Sequence, residues 1–392
     1  MTEKNRNFVI DRARIVTPTG VIEGESLLVE DGYIAGIGTV SPSRNFKRID
    51  ALGLYALPGL IDLHSDALEH MIEPRPRAVF SFPLSIIEFD KLICSCGITT
   101  MYHCVAFVDN DARNRELRKS DQASIVIREI NSLAASLRAR NRVHGRYDIV
   151  SYSSIDIVKR LVQERQIHYL SLMDHTPGQG QFSDVIAYKE LNRVSYGVND
   201  RFLEQMICDR ASRKIELEDS AVEELLSLCK SRHISLASHD DDSPEKVSWA
   251  QQKGVTVSEF PVSKEAVEAA NRAGIAVGFG APNILRGSSW SNNISAREML
   301  SLGYGDILFS DYVPHALLHA VFMINELGLR SLPAAVNMAT LNPARSVGIH
   351  ARTGSIEYGK EADLVLVDTR GEVPQIVKTF VAGKEVFSTC RN

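Results

Sequence analysis

Leu57-Pro-Gly-Leu-Ile-Asp-Leu-His-Ser-Asp66 is an apolar run opened by Pro58-Gly59 and closed by a histidine, with a carboxylate two residues further on. Side chains alternate between the faces of a strand, so His64 and Asp66 are expected to leave the strand end on one side. A lone His-x-Asp closing a buried strand is ordinarily a polar turn. It becomes a metal site only if other strands bring further ligands to the same place.

The chain has the periodicity to do that. Short apolar strands are expected at 60–66, 98–107, 147–154, 168–174, 234–239, 255–261, 275–281 and 306–311, and helical patterns lie between them at 121–140, 219–232, 243–253, 263–273 and 295–302. Eight such units in this length fit a closed (β/α)8 barrel. An open doubly wound sheet is the alternative, but no Gly-rich turn follows the first strand. Strand patterns without helices fill both ends of the chain, at 7–16, 24–30, 33–37 and 48–52, and again at 363–368, 376–381 and 385–388. Asp31-Gly32 between two of them is a hairpin signal. The expected architecture is α/β: a TIM-like barrel of residues 58–349 inserted into a small β-sandwich domain built from residues 1–57 and 350–392.

Composition narrows the function. The 392 residues are 44% hydrophobic and 24% charged with a net charge of -5, which suits a soluble globular protein and disfavours nucleic acid or an anionic membrane as partner. The N-terminal stretch has no apolar signal core and no apolar run spans a bilayer, so a cytoplasmic location is expected. The six cysteines are irregularly spaced and read as reduced thiols. Cys94-Ser-Cys96 has no second pair to complete a tetrahedral site and is expected to end a helix over the core.

Barrel enzymes keep their chemistry at the carboxyl ends of the strands. There the sequence places His64 and Asp66, His103, Asp148, Asp174-His175, Ser238-His239 with three aspartates, Glu259-Phe-Pro, Gly280-Ala-Pro-Asn283 and Ser310-Asp311. Each alone has a structural explanation. Converging on one rim, neutral imidazoles and carboxylates form a donor set that suits zinc first, and also manganese or iron.

These residues, with Pro74-Arg-Pro76, Gly97-Ile-Thr-Thr100, Ser171-Leu-Met-Asp-His-Thr-Pro-Gly-Gln179, Arg286-Gly287 and Asn342-Pro-Ala344, resemble the amidohydrolase superfamily. Within it they resemble the family of diphosphatases that act on a ribose methylphosphonate triphosphate in the carbon-phosphorus lyase pathway. The resemblance runs nearly end to end. It implies a metal-dependent hydrolase that releases pyrophosphate from a small phosphorylated substrate, using one or two divalent ions. By this resemblance His64, Asp66, Asp148, His175, His239 and Asp311 hold the metal, and Asp311 also takes the proton from the attacking water. Arg75, Arg77 and Arg286 are candidates for the phosphates, with His103, Gln179 and Asn283 as further substrate contacts. Asp148 stands where the family has a glutamate, and Ala67, His103, Gly180 and Trp290 replace other family residues, which predicts a reshaped substrate cavity. Hydrolysis of a C-N bond in a cyclic amide or aminated ring is the second reading, and a ligand-binding protein without turnover the third. A homo-oligomer stays open.

Overall fold

The computed structural model describes residues 6–40, 46–75, 77–108, 116–174, 180, 189–190, 193, 199, 201–205, 207–208, 219–288 and 293–389. The first strands are β1 (Phe8–Val16), β2 (Val21–Glu30), β3 (Tyr33–Gly38), β4 (Lys47–Asp50) and β5 (Tyr55–Pro58). Eight more follow: β6 (Leu60–Ser65), β7 (Ile98–Phe107), β8 (Arg140–Asp148), β9 (Tyr169–Met173), β10 (Ser235–His239), β11 (Val257–Glu259), β12 (Ala276–Gly280) and β13 (Ile307–Phe309). These eight pair in parallel and in sequence order. The ring closes where Ser65 of β6 bridges to Asp311 just beyond β13. There the Asp311 amide donates to the His64 carbonyl at 3.1 Å and the Asp66 amide to the Asp311 carbonyl at 2.8 Å.

The helices start where the sequence offers caps. The hydroxyls of Ser243, Ser263 and Ser295 each accept an amide three residues on, opening the helices Pro244–Gln252, Lys264–Arg272 and Ala296–Ser301. The helix Phe82–Ser95 buries Ile86, Phe89, Ile93 and Cys94 against the barrel and ends at Cys96, as expected for that pair.

Two boundaries differ from expectation. The third barrel strand is Arg140–Asp148, beginning seven residues before the expected 147. His144 and Arg146 interrupt its apolar pattern, because their side chains are paid for by polar partners inside the barrel mouth. The preceding helix correspondingly stops at Leu133.

The terminal strands, with β14 (Leu364–Asp368), β15 (Gln375–Val381) and β16 (Lys384–Ser388), form one continuous hydrogen-bonded sheet in the order β16-β15-β14-β5-β1-β2-β3, with β4 also on β1. It encloses its own core by curling: Phe8 of β1 stacks on Phe380 of β15 at 4.9 Å although two strands separate them in the sheet. The β2–β3 hairpin turns at Asp31-Gly32, both left-handed (φ 51° and 85°), as its two-residue loop demands.

Candidate active site

The barrel's carboxyl end gathers His64, His144, Arg146, His239 and Glu259, all nearly or fully buried. His64 ends β6, where pairing with β7 slips between Asp62 and Ser65. The strand alternation read from the sequence therefore does not carry through to Asp66, which is already the N-cap of the helix Ala67–Ile72 (φ −88°, ψ 0°). His64 turns toward Glu259, with Nδ1 3.2 Å from its carboxylate. Its ring packs 5.3 Å from that of His239.

The turns that end three of these strands are left-handed at residues other than glycine. Asp240 (φ 52°) follows His239, Phe260 (φ 52°) follows Glu259, and Asp311 (φ 58°) follows Ser310. Such backbone is costly, and its concentration here matches a functional rim. Lys246 steadies one turn by donating to the carbonyls of His239 and Asp240 at 2.8 and 3.0 Å. Asp241 ties β10 to β11 by accepting the hydroxyls of Ser238 and Ser258, each at 2.5 Å.

Among the described residues, two groups bring three metal-capable atoms within 4.8 Å of one another: His64, His239 and Glu259, and His64, Cys104 and His144. The first fits a divalent ion better. Glu259 is fully buried, yet neither carboxylate oxygen accepts a hydrogen bond from the described residues. An uncompensated buried carboxylate is strongly unfavourable, and a cation beside it removes the penalty. In the second group the Cys104 thiol is raised well above its ordinary range, chiefly by burial. His144 is also committed there: Nδ1 lies 2.9 Å from the Leu63 carbonyl and so carries the proton, while Nε2 faces the Ser171 hydroxyl.

Charge around the cluster is uneven. Burial alone would raise the Asp66 carboxyl, but Arg146, His64 and Arg118 hold it well below the carboxylate range. Arg146 donates to both its oxygens at 2.9 Å. Asp311 is pushed up to about 7 by burial and by the nearby Asp66 charge. His64 and His144 are kept neutral by burial, His144 falling to about 3.

The expected site residues divide accordingly. His64 and His239 come together, and Asp66 and Asp311 stand beside them at the mouth. Asp148 is buried at the end of β8 but belongs to neither group above. His175, Gln179 and Trp290 lie outside the described residues. His103, expected on the catalytic rim, is turned away from it: Tyr102 and Cys104 take the inward face of β7, and His103 packs against Phe89 of the covering helix with Nε2 2.6 Å from Asn141 Oδ1. Strand parity excludes it from the barrel interior. Arg75 and Arg77 are exposed beyond the first barrel helix, and Arg286 is exposed on the helix Ala281–Arg286 after β12. Asn283, on the same helix, accepts the Ala296 amide at 3.4 Å.

Glu259, His144, Arg146 and Cys104 were not chosen as site residues from sequence. Glu259 did stand at an expected strand end and within one of the segments that carry the family resemblance, but it was given no role. His144 and Arg146 share a face with Asp148 at two-residue spacing, which a correctly placed strand would have shown.

Comparison with known proteins agrees with this arrangement. Residues 211–386 match the model of the amidohydrolase family. The chain is 35% identical over 382 residues, 97% of its length and all of the relative's, to the alpha-D-ribose 1-methylphosphonate 5-triphosphate diphosphatase of Escherichia coli K12. It is 22% identical to the dihydroorotase of Elusimicrobium minutum, over 92% of this chain and 88% of that one. The N-acetylglucosamine-6-phosphate deacetylase of Pasteurella multocida shares the fold, with a TM-score of 0.61 at 14% identity over 97% of this chain and 99% of the other. No helix among the described residues is long and apolar enough to cross a membrane. A parallel eight-stranded barrel, a histidine and glutamate cluster at its mouth and an end-to-end relative converge on one assignment: this chain is a hydrolase of the amidohydrolase family.

Proposed function

We propose that this chain hydrolyses a phosphoanhydride in a ribose phosphonate triphosphate-like substrate and releases pyrophosphate. The observation that carries the reading is the 35% identity, unbroken over nearly the whole chain, to a diphosphatase of that specificity. The buried cluster at the barrel mouth supports it.

His64 and Glu259 would hold a divalent ion, zinc by the donor set, with Asp148 and His175 as further candidate ligands from the family resemblance and His239 available only if its Nε2 is released from Arg146. When bound, such an ion lowers the pKa of water toward about 7 and polarises a phosphoryl oxygen. Asp311 takes the proton of the attacking water. Its carboxyl, held near 7, can both accept and return a proton at neutral pH. Arg146 sets positive charge at the mouth where an anionic substrate arrives. Arg75, Arg77 and Arg286, all exposed, would contact the outer phosphates. In this reading residues 58–349 are the catalytic domain, and 1–57 with 350–392 form the accessory domain.

The test is a product assay on a panel of sugar triphosphates, cyclic amides and aminated rings. Pyrophosphate is expected, chelator-sensitive, and lowered about 10²- to 10⁴-fold by Asp311→Asn. Ring opening or ammonia without pyrophosphate would establish C-N hydrolysis instead, the reading favoured by similarity to a dihydroorotase. Turnover of nothing on the panel by a metal-loaded protein would favour ligand binding.

A further inference from the structure

Arg146 deserves a role of its own, because it sits where a positive charge is chemically in demand. Its side chain is buried at the end of β8 and it is the residue that links two mouth groups. Nη1 donates to both oxygens of Asp66 at 2.9 Å, and Nη2 lies 3.2 Å from Nε2 of His239. A guanidinium has only donors and does not deprotonate, so His239 must turn the Nε2 lone pair toward it. That lone pair is the one an ion would take. On the other side of the ring, Nδ1 lies 3.0 Å from the Asp240 carboxylate, which favours the tautomer with the proton on Nδ1.

The mouth is thus unequal. Asp66 already has a full positive charge in place, held by paired hydrogen bonds. Glu259 has no cation hydrogen-bonded to it among the described residues: its near neighbour, His64 Nδ1 at 3.2 Å, is kept neutral by burial. A divalent ion added beside Asp66 would be at hydrogen-bonding range of a permanent cation and would meet like-charge repulsion. An ion added beside Glu259 and His64 would meet a buried carboxylate to which no described cation is hydrogen-bonded.

We propose that Arg146 is a resident cation of this site: it takes the donors, Asp66 and the Nε2 face of His239, that a second divalent ion would need. The site accordingly binds one ion strongly, on the Glu259 and His64 side, and admits a second only by displacing the guanidinium. The inference rests on the metal dependence in the functional reading above but not on the substrate.

The experiment is metal binding by the full chain, stripped with chelator and then titrated with manganese or zinc by calorimetry, with bound metal counted by elemental analysis after dialysis. Wild type is expected to keep about one equivalent, and Arg146→Met to gain a second site at least about 10-fold tighter than any second site in wild type. Arg146→Lys, which retains the charge, should keep to one. Two equally tight equivalents in wild type, no bound metal, or an unchanged titration in Arg146→Met would each overturn the proposal. If Arg146→Met fails to fold, Asp66→Asn decides: the strong ion should survive that change, and its loss would make Asp66 a ligand of the first ion and sink the idea. Because metal is counted directly, a one-ion protein that releases no pyrophosphate would refute the function while leaving this inference standing.

Discussion

Strand β8 carries an arginine at each end, and the two are used in opposite ways. At its start, Arg140 reaches Asp363 at 2.6 Å and also pairs with Glu361, both in the segment leading into β14. Asp363 is fully satisfied: it accepts the Thr353 hydroxyl at 2.5 Å and the Ala382 amide at 2.8 Å as well. At the other end Arg146 compensates the partly buried Asp66, while the fully buried Glu259 nearby makes no hydrogen bond among the described residues, with the neutral His64 3.2 Å away. Buried carboxylates that serve only to join parts of a fold have their lone pairs filled by the chain itself. One that is left open marks where the chain relies on something it does not encode. The contrast follows the general division of a barrel into a stabilising face and a chemical face.

The change expected to break this contrast most severely is Glu259→Gln. Removing the open carboxylate should take the bound metal with it and lower kcat by about 10³-fold or more, while the metal-free protein unfolds in urea at the same or higher denaturant, since an unpaired buried charge is gone. A variant that keeps its full metal complement would show that Glu259 is not the anchor of the site.

Arg140→Met probes the opposite end. It leaves Asp363 buried without its charge partner and should cost about 3 kcal/mol in urea unfolding, with metal content and turnover per folded molecule unchanged. A change in metal stoichiometry would mean that the two ends are coupled through β8, and the division drawn above would fail.

How much of this contrast could be read in the sequence depended on whether a residue's neighbours advertised its face. Asp31-Gly32 was legible because a two-residue hairpin demands left-handed backbone and those residues supply it. Ser243, Ser263 and Ser295 were legible as helix starts for an equally local reason. The eight strands were legible as apolar runs, and β8 was misplaced where His144 and Arg146 made its inward face polar. His64 and His239 announced themselves by chemical type. Glu259 did not, since its importance lies in making no hydrogen bond among the described residues, which is a property of the folded interior rather than of spacing. His103 misled for a related reason. Both faces of β7 are buried throughout, so no alternation in the sequence says which side is the barrel's inside.

His103 supplies the smallest and cleanest test, because it is a buried imidazole near the cluster in sequence order yet outside it in space. Burial lowers it to about 4 from 6.5, against the raising effects of Asn141 and Asp90. Nε2 faces the Asn141 side-chain oxygen and therefore donates to it, and Nδ1 has no partner among the described residues, so a second proton finds no acceptor there. A histidine depressed in the fold binds fewer protons than its unfolded counterpart between these two values, so its contribution to stability is complete above about 6.5 and is lost as pH falls toward 4. The loss should reach roughly 2 kcal/mol between pH 7 and pH 5. His103→Gln retains a donor for Asn141 but cannot take up the proton, so its urea stability should lose about that much less over the same interval, with metal content and turnover at neutral pH intact. Equal acid sensitivity in the two proteins would show that His103 is not the group titrating. A loss of bound metal in His103→Gln would return this residue to the rim and erase the inside-outside distinction on β7.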